Sequence, residues 1–298
     1  MAKLGAKPVV DTLALVGFGL IGSSIARAAR LTGAARRIVA CDVSAAARRT
    51  IAKLELADAV LSDPAKAATG ADLVIVCSPL STYAKLGKTL GKALKPGAIL
   101  SDVGSVKRPA IDELGAHLPG GRHLVPAHPI AGTENSGPEA GFAELFDGRW
   151  CIVTPARGAS KQAAAKVEAF WRRLGSKTAR MTPAHHDRVL AITSHVPHLI
   201  AYTIVNTASD LEGTLRAEVI KYSASGFRDF TRVAASHPVM WRDVFLANKD
   251  AVLEMMGRLY EDIALMQKAI RHDEGETLER LFAKARKIRR SIVQAKQA

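Results

Sequence analysis

Two short polar clusters carry the groups best suited to chemistry. Residues 102–107, DVGSVK, hold the Ser105 hydroxyl, and residues 128–134, HPIAGTE, hold the His128 imidazole and the Glu134 carboxylate. Each follows a short apolar run that reads as a strand, and open α/β sheets place their reacting groups at strand ends. His128 precedes a proline in a loop rather than lying on an apolar helix face, so it is not read as a packed core histidine. Imidazole is the side chain that best takes up a proton near neutral pH.

Two further clusters lie downstream. SHVPH at 194–198 offers Ser194, His195 and His198; GFRDFTR at 226–232, followed by Trp241, offers Arg228 and Arg232 with Asp229 between them. The two arginines are four apart and share a face if the segment is helical. On spacing alone a surface pair is an equal alternative; their setting between Phe227 and Phe230 argues that at least one faces inward to a carboxylate, which a guanidinium binds through paired hydrogen bonds. A metal site is not expected: His185 and His186 are adjacent and would point apart on a helix, and His195 and His198 have no nearby carboxylate or cysteine. A Ser-His-Asp hydrolase is poorly supported, because Ser105 does not lie in a GxSxG turn.

The elements that must position these groups begin at residue 12. The apolar run 12–16 ends at GFGLIG (Gly17, Gly19, Leu20, Ile21, Gly22), and 23–31 continues with helical spacing. Strand, glycine turn and helix in that order let a backbone approach a pyrophosphate, whose charge the helix N-terminus stabilises. The next apolar run ends at Asp42, 25 residues after Gly17, where a carboxylate bonds a ribose 2′-hydroxyl. Asp42 therefore favours NAD over NADP, a preference that Arg48 and Arg49 would soften; Ser44 is the better helix cap. Strands are predicted at 72–79, 98–101, 123–126, 150–154 and 177–181, with helices at 80–94, 106–117 and 163–174. The 72–79 strand ends at Ser78 and Pro79, beside the dinucleotide. Its continuous apolar run is typical of a parallel sheet.

From residue 183 the strand signals stop. The stretch 185–208 is long and largely apolar, and Trp241, Val244, Asn248, Val252, Met255, Leu259, Ile263, Met266 and Ile270 recur at steps of three and four. Such a stripe is a packing face. A helical half this apolar and elongated is expected to pack on a second copy of itself, with Asn248 fixing register. The division expected is a nucleotide-binding α/β domain of Rossmann type, with a mostly parallel doubly wound sheet, over residues 1–181, and an all-α substrate and dimerisation domain over 182–298.

Composition narrows the partners. The chain has 298 residues, 42 basic against 28 acidic, and a net charge of +14. The basic residues are scattered through helices and aromatics are only 5% of the sequence, so anionic small molecules fit better than nucleic acid. No apolar run approaches the ~20 residues of a bilayer span, and the N-terminus lacks the apolar core of a secretion signal. Cys41, Cys77 and Cys151 make no ligand spacing and read as small buried hydrophobes in a reducing cytoplasm.

DVGSVK, PAHPIAGTE, SHVPH and GFRDFTR followed by PVMWRD, in this order, resemble the motifs of the prephenate/arogenate dehydrogenase family of tyrosine biosynthesis, from Leu13 to about Ile270. The resemblance implies an NAD(P)-binding domain followed by a helical dimerisation domain. By it, His128 bonds the ring hydroxyl of a small dianionic substrate, Ser105 contacts that hydroxyl and aligns the nicotinamide, and Arg232 pairs with the ring carboxylate. Ser194 and His198 line the pocket, with Glu134, Asp229 and Trp241 shaping access. The approach to GFRD, Ser223 to Gly226, carries less glycine than the family pattern. Two alternatives stand beside this reading: a β-hydroxyacid-type dehydrogenase, for which Lys221 and Lys249 are the lysines of suitable position, and a non-catalytic dinucleotide-sensing or nucleic-acid-binding protein.

Overall fold

The computed structural model describes residues 7–133, 135–211, 218, 221–222 and 224–294. By contacts these form one compact unit to Asn248 and a second from Lys249. The first unit opens with alternating strands and helices: β1 (Val10–Val16), α1 (Leu20–Thr32), β2 (Ala35–Cys41), α2 (Ala45–Lys53), β3 (Ala59–Leu61), α3 (Pro64–Ala68), β4 (Leu73–Val76), α4 (Tyr83–Ala93), β5 (Ile99–Asp102) and β6 (His123–Leu124). The six strands form one sheet in the order β3-β2-β1-β4-β5-β6, every pair parallel. The order reverses beside β1, so the crevice at the ends of β1 and β4 is the switch point where such sheets bind ligands. All four residues of β4 are buried, as helices on both faces require.

Local chemistry starts the helices where the sequence suggests. Ser44 caps α2 by accepting from the Ala47 N–H, and Thr182 followed by Pro183 opens α6 (Pro183–Leu190). The stretch predicted as an ordinary helix over 106–117 differs: residues 110–114 are wound as a π-helix and 115–117 as a 3-10 turn.

The sheet prediction needs one correction. The runs at 150–154 and 177–181 leave the main sheet: β7 (Ala127–Pro129), β8 (Trp150–Val153) and β9 (Lys177–Arg180) form a second sheet in which β7 and β8 are antiparallel. The short β7 was missed because Ala-His-Pro carries no strand signal; only its pairing with β8 defines it. This is the element that fixes the His128 backbone. Against the second sheet packs α5 (Lys161–Arg173), whose Trp171 is fully buried and meets Phe146 and Phe170 edge to face.

Next in the chain α6 passes through a π-helical turn, Ala191–His195, into α7 (Val196–Ser209). Together, residues 183–209 form the single helical run among the described residues long and apolar enough to cross a membrane. The sequence reading allowed for no such run. Its first part carries buried polar groups, His186, Asp187 and His195, that are hydrogen-bonded to protein, while Ile192, Ile204 and Val205 along the run are exposed. The helices Ser225–Thr231 and Pro238–Ala247 complete this unit.

The second unit is a hairpin of two helices, Lys249–Arg271 and Gly275–Gln294. The stripe read as one packing face is interrupted at Asn248, which ends the Pro238–Ala247 helix. Its first members, Trp241, Val244, Asn248 and Val252, are buried, while Ile263 and Ile270 are exposed.

Candidate active site

The glycine turn joins β1 to α1 at the switch point. Gly17 has φ +93°, and a Cβ there would lie 2.7 Å from the Ser78 nitrogen and 2.8 Å from the Cys77 carbonyl carbon. A Cβ on Gly22 would meet the Gly17 oxygen. Gly19, by contrast, faces open space, with nothing within 4 Å of an added Cβ. It caps α1 without any side-chain hydrogen bond, and no acid lies in the first turn. The helix thus presents free N–H groups and its positive dipole end to the open space beside Gly19, which fits a pyrophosphate.

Asp42 stands at the end of β2, its Oδ2 accepting from the Phe18 N–H at 2.9 Å and its Oδ1 from the Ser44 N–H at 2.8 Å. These bonds fix the carboxylate and leave lone pairs for a ribose. Arg48 donates to the Asp42 and Val43 carbonyl oxygens at 2.8 and 2.9 Å. Ser78, at the end of β4, pairs with Thr82 Oγ1 at 2.7 Å, and Pro79 is exposed beside it.

The second half of the site grows from β5. Asp102, Lys107 and Tyr83 are fully buried together. Lys107 Nζ reaches both Asp102 carboxylate oxygens, at 2.9 and 2.7 Å, and the Ala127 carbonyl at 2.7 Å; Tyr83 Oη and the Gly104 N–H donate to Asp102 Oδ2. A buried ion pair survives when its remaining hydrogen bonds are filled, as here. Its consequence is positional: DVGSVK, with half-buried Ser105 at its centre, is tied to the residue preceding His128.

His128 is half-buried on β7. Its Nδ1 lies 2.9 Å from His186 Nε2, the rings meeting edge to face, and its Nε2 makes no hydrogen bond among the described residues. Burial, helped by the neighbouring His186, Lys107 and His195, pushes the His128 pKa well below its ordinary value. His186 is buried; that burial lowers its pKa too, opposed by Asp187, whose Oδ1 lies 2.8 Å from His186 Nδ1. Asp187 also accepts the main-chain N–H groups of Lys107 and Arg108 at 2.8 and 3.0 Å.

A third group comes from the SHVPH turn. His195 is fully buried, and burial takes its pKa down to about 4. Its Nδ1 lies 3.1 Å from Asn248 Nδ2, which also donates to the Asp187 carbonyl at 2.8 Å. Asn248 therefore serves an internal joint of its own chain instead of the inter-chain register expected of it. His198 stacks on Trp241 with ring centroids 3.7 Å apart, and its Nδ1 donates to the Ser194 carbonyl. Its pKa is lowered by burial and by the charge of Arg232, which places that guanidinium nearby.

Ser105, His128, Ser194, His198, Trp241 and Arg232 all lie in the first unit, where His198 meets Trp241, the Ser194 carbonyl and the charge of Arg232. Arg228, Asp229 and Arg232 are all exposed, and neither arginine has a protein carboxylate partner among the described residues. Glu134 and Ser223 lie outside the described residues. Sequence reasoning passed over His186 and Asp187 as functional groups; the available signal was a polar His-Asp pair opening an otherwise apolar helix. Lys221, by comparison, is exposed with its Nζ over the Tyr222 ring.

Two family models match the chain. The prephenate dehydrogenase nucleotide-binding domain matches residues 25–180 and the prephenate dehydrogenase dimerization domain matches residues 182–284. A cyclohexadienyl dehydrogenase of Zymomonas mobilis is 39% identical over 284 residues, covering 95% of this chain and 97% of the relative. A prephenate dehydrogenase of Bacillus subtilis is 33% identical over 286 residues, covering 94% and 75%. Among solved structures, prephenate dehydrogenase from Aquifex aeolicus in complex with hydroxyphenyl propionate and NAD+ superposes with a TM-score of 0.88 at 30% identity, over 95% of this chain and 98% of that one.

Proposed function

This chain belongs to the prephenate dehydrogenase family, and on that premise we propose that it catalyses the NAD-dependent oxidative decarboxylation of prephenate, of arogenate, or of both. The observation that carries the reading is the convergence of four separate motifs on one imidazole: Lys107, Ala127, His186 and Asp187 hold His128 in place, and His195, His198 and Trp241 adjoin them. Gly17, Gly19, Leu20, Ile21 and Gly22 would hold the pyrophosphate, Asp42 the adenosine ribose, and Ser78, Pro79 and Ser105 the nicotinamide side. When bound there, the nicotinamide supplies the hydride acceptor.

The chain's own residues do the rest. His128 Nε2 takes the proton of the substrate's ring hydroxyl as the carbinol carbon gives up hydride, and Ser105 holds that hydroxyl. The ring ketone so formed withdraws the electron pair of the bond to the ring carboxylate, and carbon dioxide leaves. The resulting phenolate oxygen takes the proton back from His128, so the imidazole is regenerated and the ring is aromatic. Arg232 binds the ring carboxylate; a contact equally strong before and during reaction positions the substrate without speeding the step. His198, Ser194 and Trp241 line the side-chain end, with Asp229 at the entrance.

A second copy of the chain completes the protein on this reading. The Lys249–Gln294 hairpin exposes Tyr260, Ile263, Ile270, Phe282 and Ile288, an apolar surface of the sort that marks protein contact. The division at residues 181 and 182 separates the nucleotide half from the helical half. The three unpaired cysteines suit a cytoplasmic enzyme.

The test is nicotinamide reduction, followed by absorbance, with prephenate and arogenate each offered with NAD and with NADP. Turnover with NAD is expected, abolished to within about a hundredth of native kcat in His128→Asn with KM nearly kept, whereas Arg232→Gln mainly raises KM. Silence from folded protein that binds NAD would overturn the reading.

A further inference from the structure

We propose that His186 and Asp187 are positioning residues for His128: they fix its tautomer so that a bare Nε2 lone pair is presented to the substrate hydroxyl. The inference rests on the oxidative decarboxylation assigned above and adds to it the device that makes His128 a base.

Asp187 is the group that cannot change its role. Asp187 is held at three points: Oδ1 accepts from the Lys107 N–H, Oδ2 from the Arg108 N–H, and its main-chain oxygen from Asn248 Nδ2. A carboxylate in that setting only accepts, so His186 Nδ1, 2.8 Å from Oδ1, must carry the proton. Neutral His186 then has its lone pair on Nε2. His128 Nδ1, 2.9 Å away, must therefore donate to it. Neutral His128 is left with the lone pair on Nε2, the atom without a protein partner among the described residues.

This outcome runs against the intrinsic preference of the ring, since histidine free in water favours the proton on Nε2. Two hydrogen bonds in series reverse that preference and stop the ring from flipping. The same chain helps when His128 takes up the hydroxyl proton: the new charge sits on a ring whose Nδ1–H is already directed at an acceptor, and that acceptor is backed by a carboxylate. No proton needs to travel along the chain. The hydroxyl proton rests on His128 Nε2, His128 keeps its Nδ1 proton, and His186 keeps its own. The arrangement parallels the role of the aspartate in a Ser-His-Asp triad, which orients its histidine and holds one tautomer without itself being protonated.

The experiment separates this role from simple packing. His186→Asn puts an amide where Nδ1 stands, keeping the contact to Asp187 and leaving His128 Nδ1 without its acceptor. His186→Gln puts an amide oxygen where Nε2 stands, keeping that acceptor and giving up Asp187. The nitrogen resonances of 15N-histidine-labelled protein report the tautomer directly, whether or not the enzyme turns over. Native His128 is expected to show its proton on Nδ1, and His186→Asn to shift it toward Nε2. His186→Asn is expected to lose about 100-fold or more in kcat with prephenate KM and NAD affinity within about threefold of native, and His186→Gln to recover at least tenfold of that loss. Native His128 protonated on Nε2 would overturn the proposal, as would a folded His186→Asn enzyme with kcat within about threefold of native. Should the Asn variant not fold, the native tautomer and the Gln variant decide. An inactive native enzyme that nevertheless shows the Nδ1–H tautomer would strike the assigned reaction and leave the positioning intact.

Discussion

The glycine turn supports a paired perturbation in which two similar substitutions should fail in opposite ways. Gly17→Ala forces a side chain into φ +93° and drives its Cβ to 2.7 Å from Ser78 N and 2.8 Å from the Cys77 carbonyl carbon, both main-chain atoms that cannot swing aside. Left-handed strain costs about 1–2 kcal/mol and overpacking about 1–3 kcal/mol, so the fold should lose roughly 2–5 kcal/mol. At about 2–4 °C per kcal/mol for a domain of this size, the midpoint of thermal unfolding should fall by roughly 10 °C. Gly19 has φ −78° and ψ −154°, extended backbone open to alanine, and nothing within 4 Å of an added Cβ. Gly19→Ala should leave the midpoint unchanged or slightly raised, because alanine narrows the unfolded ensemble. Its new methyl would stand where the pyrophosphate belongs, so NAD affinity should fall by about tenfold or more, the loss of roughly one good hydrogen bond to a charged group. Circular dichroism on cofactor-free protein gives the midpoints, and fluorescence titration with NAD gives the affinities. Equal thermal losses in the two variants, or a Gly19→Ala protein that binds NAD as tightly as the parent, would refute the division of labour drawn here.

Further outcomes follow from the buried polar groups. Lys107→Met should destabilise the protein by about 3–5 kcal/mol, because it strands the Asp102 carboxylate in a fully buried site, and urea unfolding would register it. The buried histidines should make the protein acid-sensitive. The His195 pKa is about 4 when folded against 6.5 as its ordinary value, so the unfolded chain binds the proton first as pH falls. Stability should therefore be complete above about pH 6.5 and decline toward pH 4, by about 3 kcal/mol from His195 alone, with His128 and His186 adding in the same direction. Urea midpoints that stay flat from pH 7 to about pH 4.5 would contradict that burial.

Much of the nucleotide half was legible because its signals are local. GFGLIG, Asp42 and the buried run ending at Ser78 each announce themselves within a few residues, and β1, β2 and β4 bring them to one crevice. The second sheet was not legible in the same way. β7 is three residues long and exists only through its pairing with β8, a long-range event that Ala-His-Pro does not encode. Asn248 shows the same limit from the other side: its place in an apolar stripe suggested a contact between chains, whereas its amide is spent on Asp187 and His195. His186 and Asp187 were passed over because adjacency along a helix hides which of two neighbours faces inward. The structure turns His185 outward and buries His186 against His128. The helical motif residues Ser194, His198 and Trp241 were recognisable as a set, but the stacking of His198 on Trp241 depends on two separate helices meeting.

The central claim is that this site couples hydride transfer to loss of the ring carboxylate. The most direct measurement is the stoichiometry of the reaction with prephenate and NAD: substrate consumed, reduced nicotinamide formed and carbon dioxide released in the same vessel. Equal amounts of all three, with 4-hydroxyphenylpyruvate as the remaining product, are expected. Reduced nicotinamide without matching carbon dioxide would mean a simple alcohol oxidation of the β-hydroxyacid type, and would contradict the account.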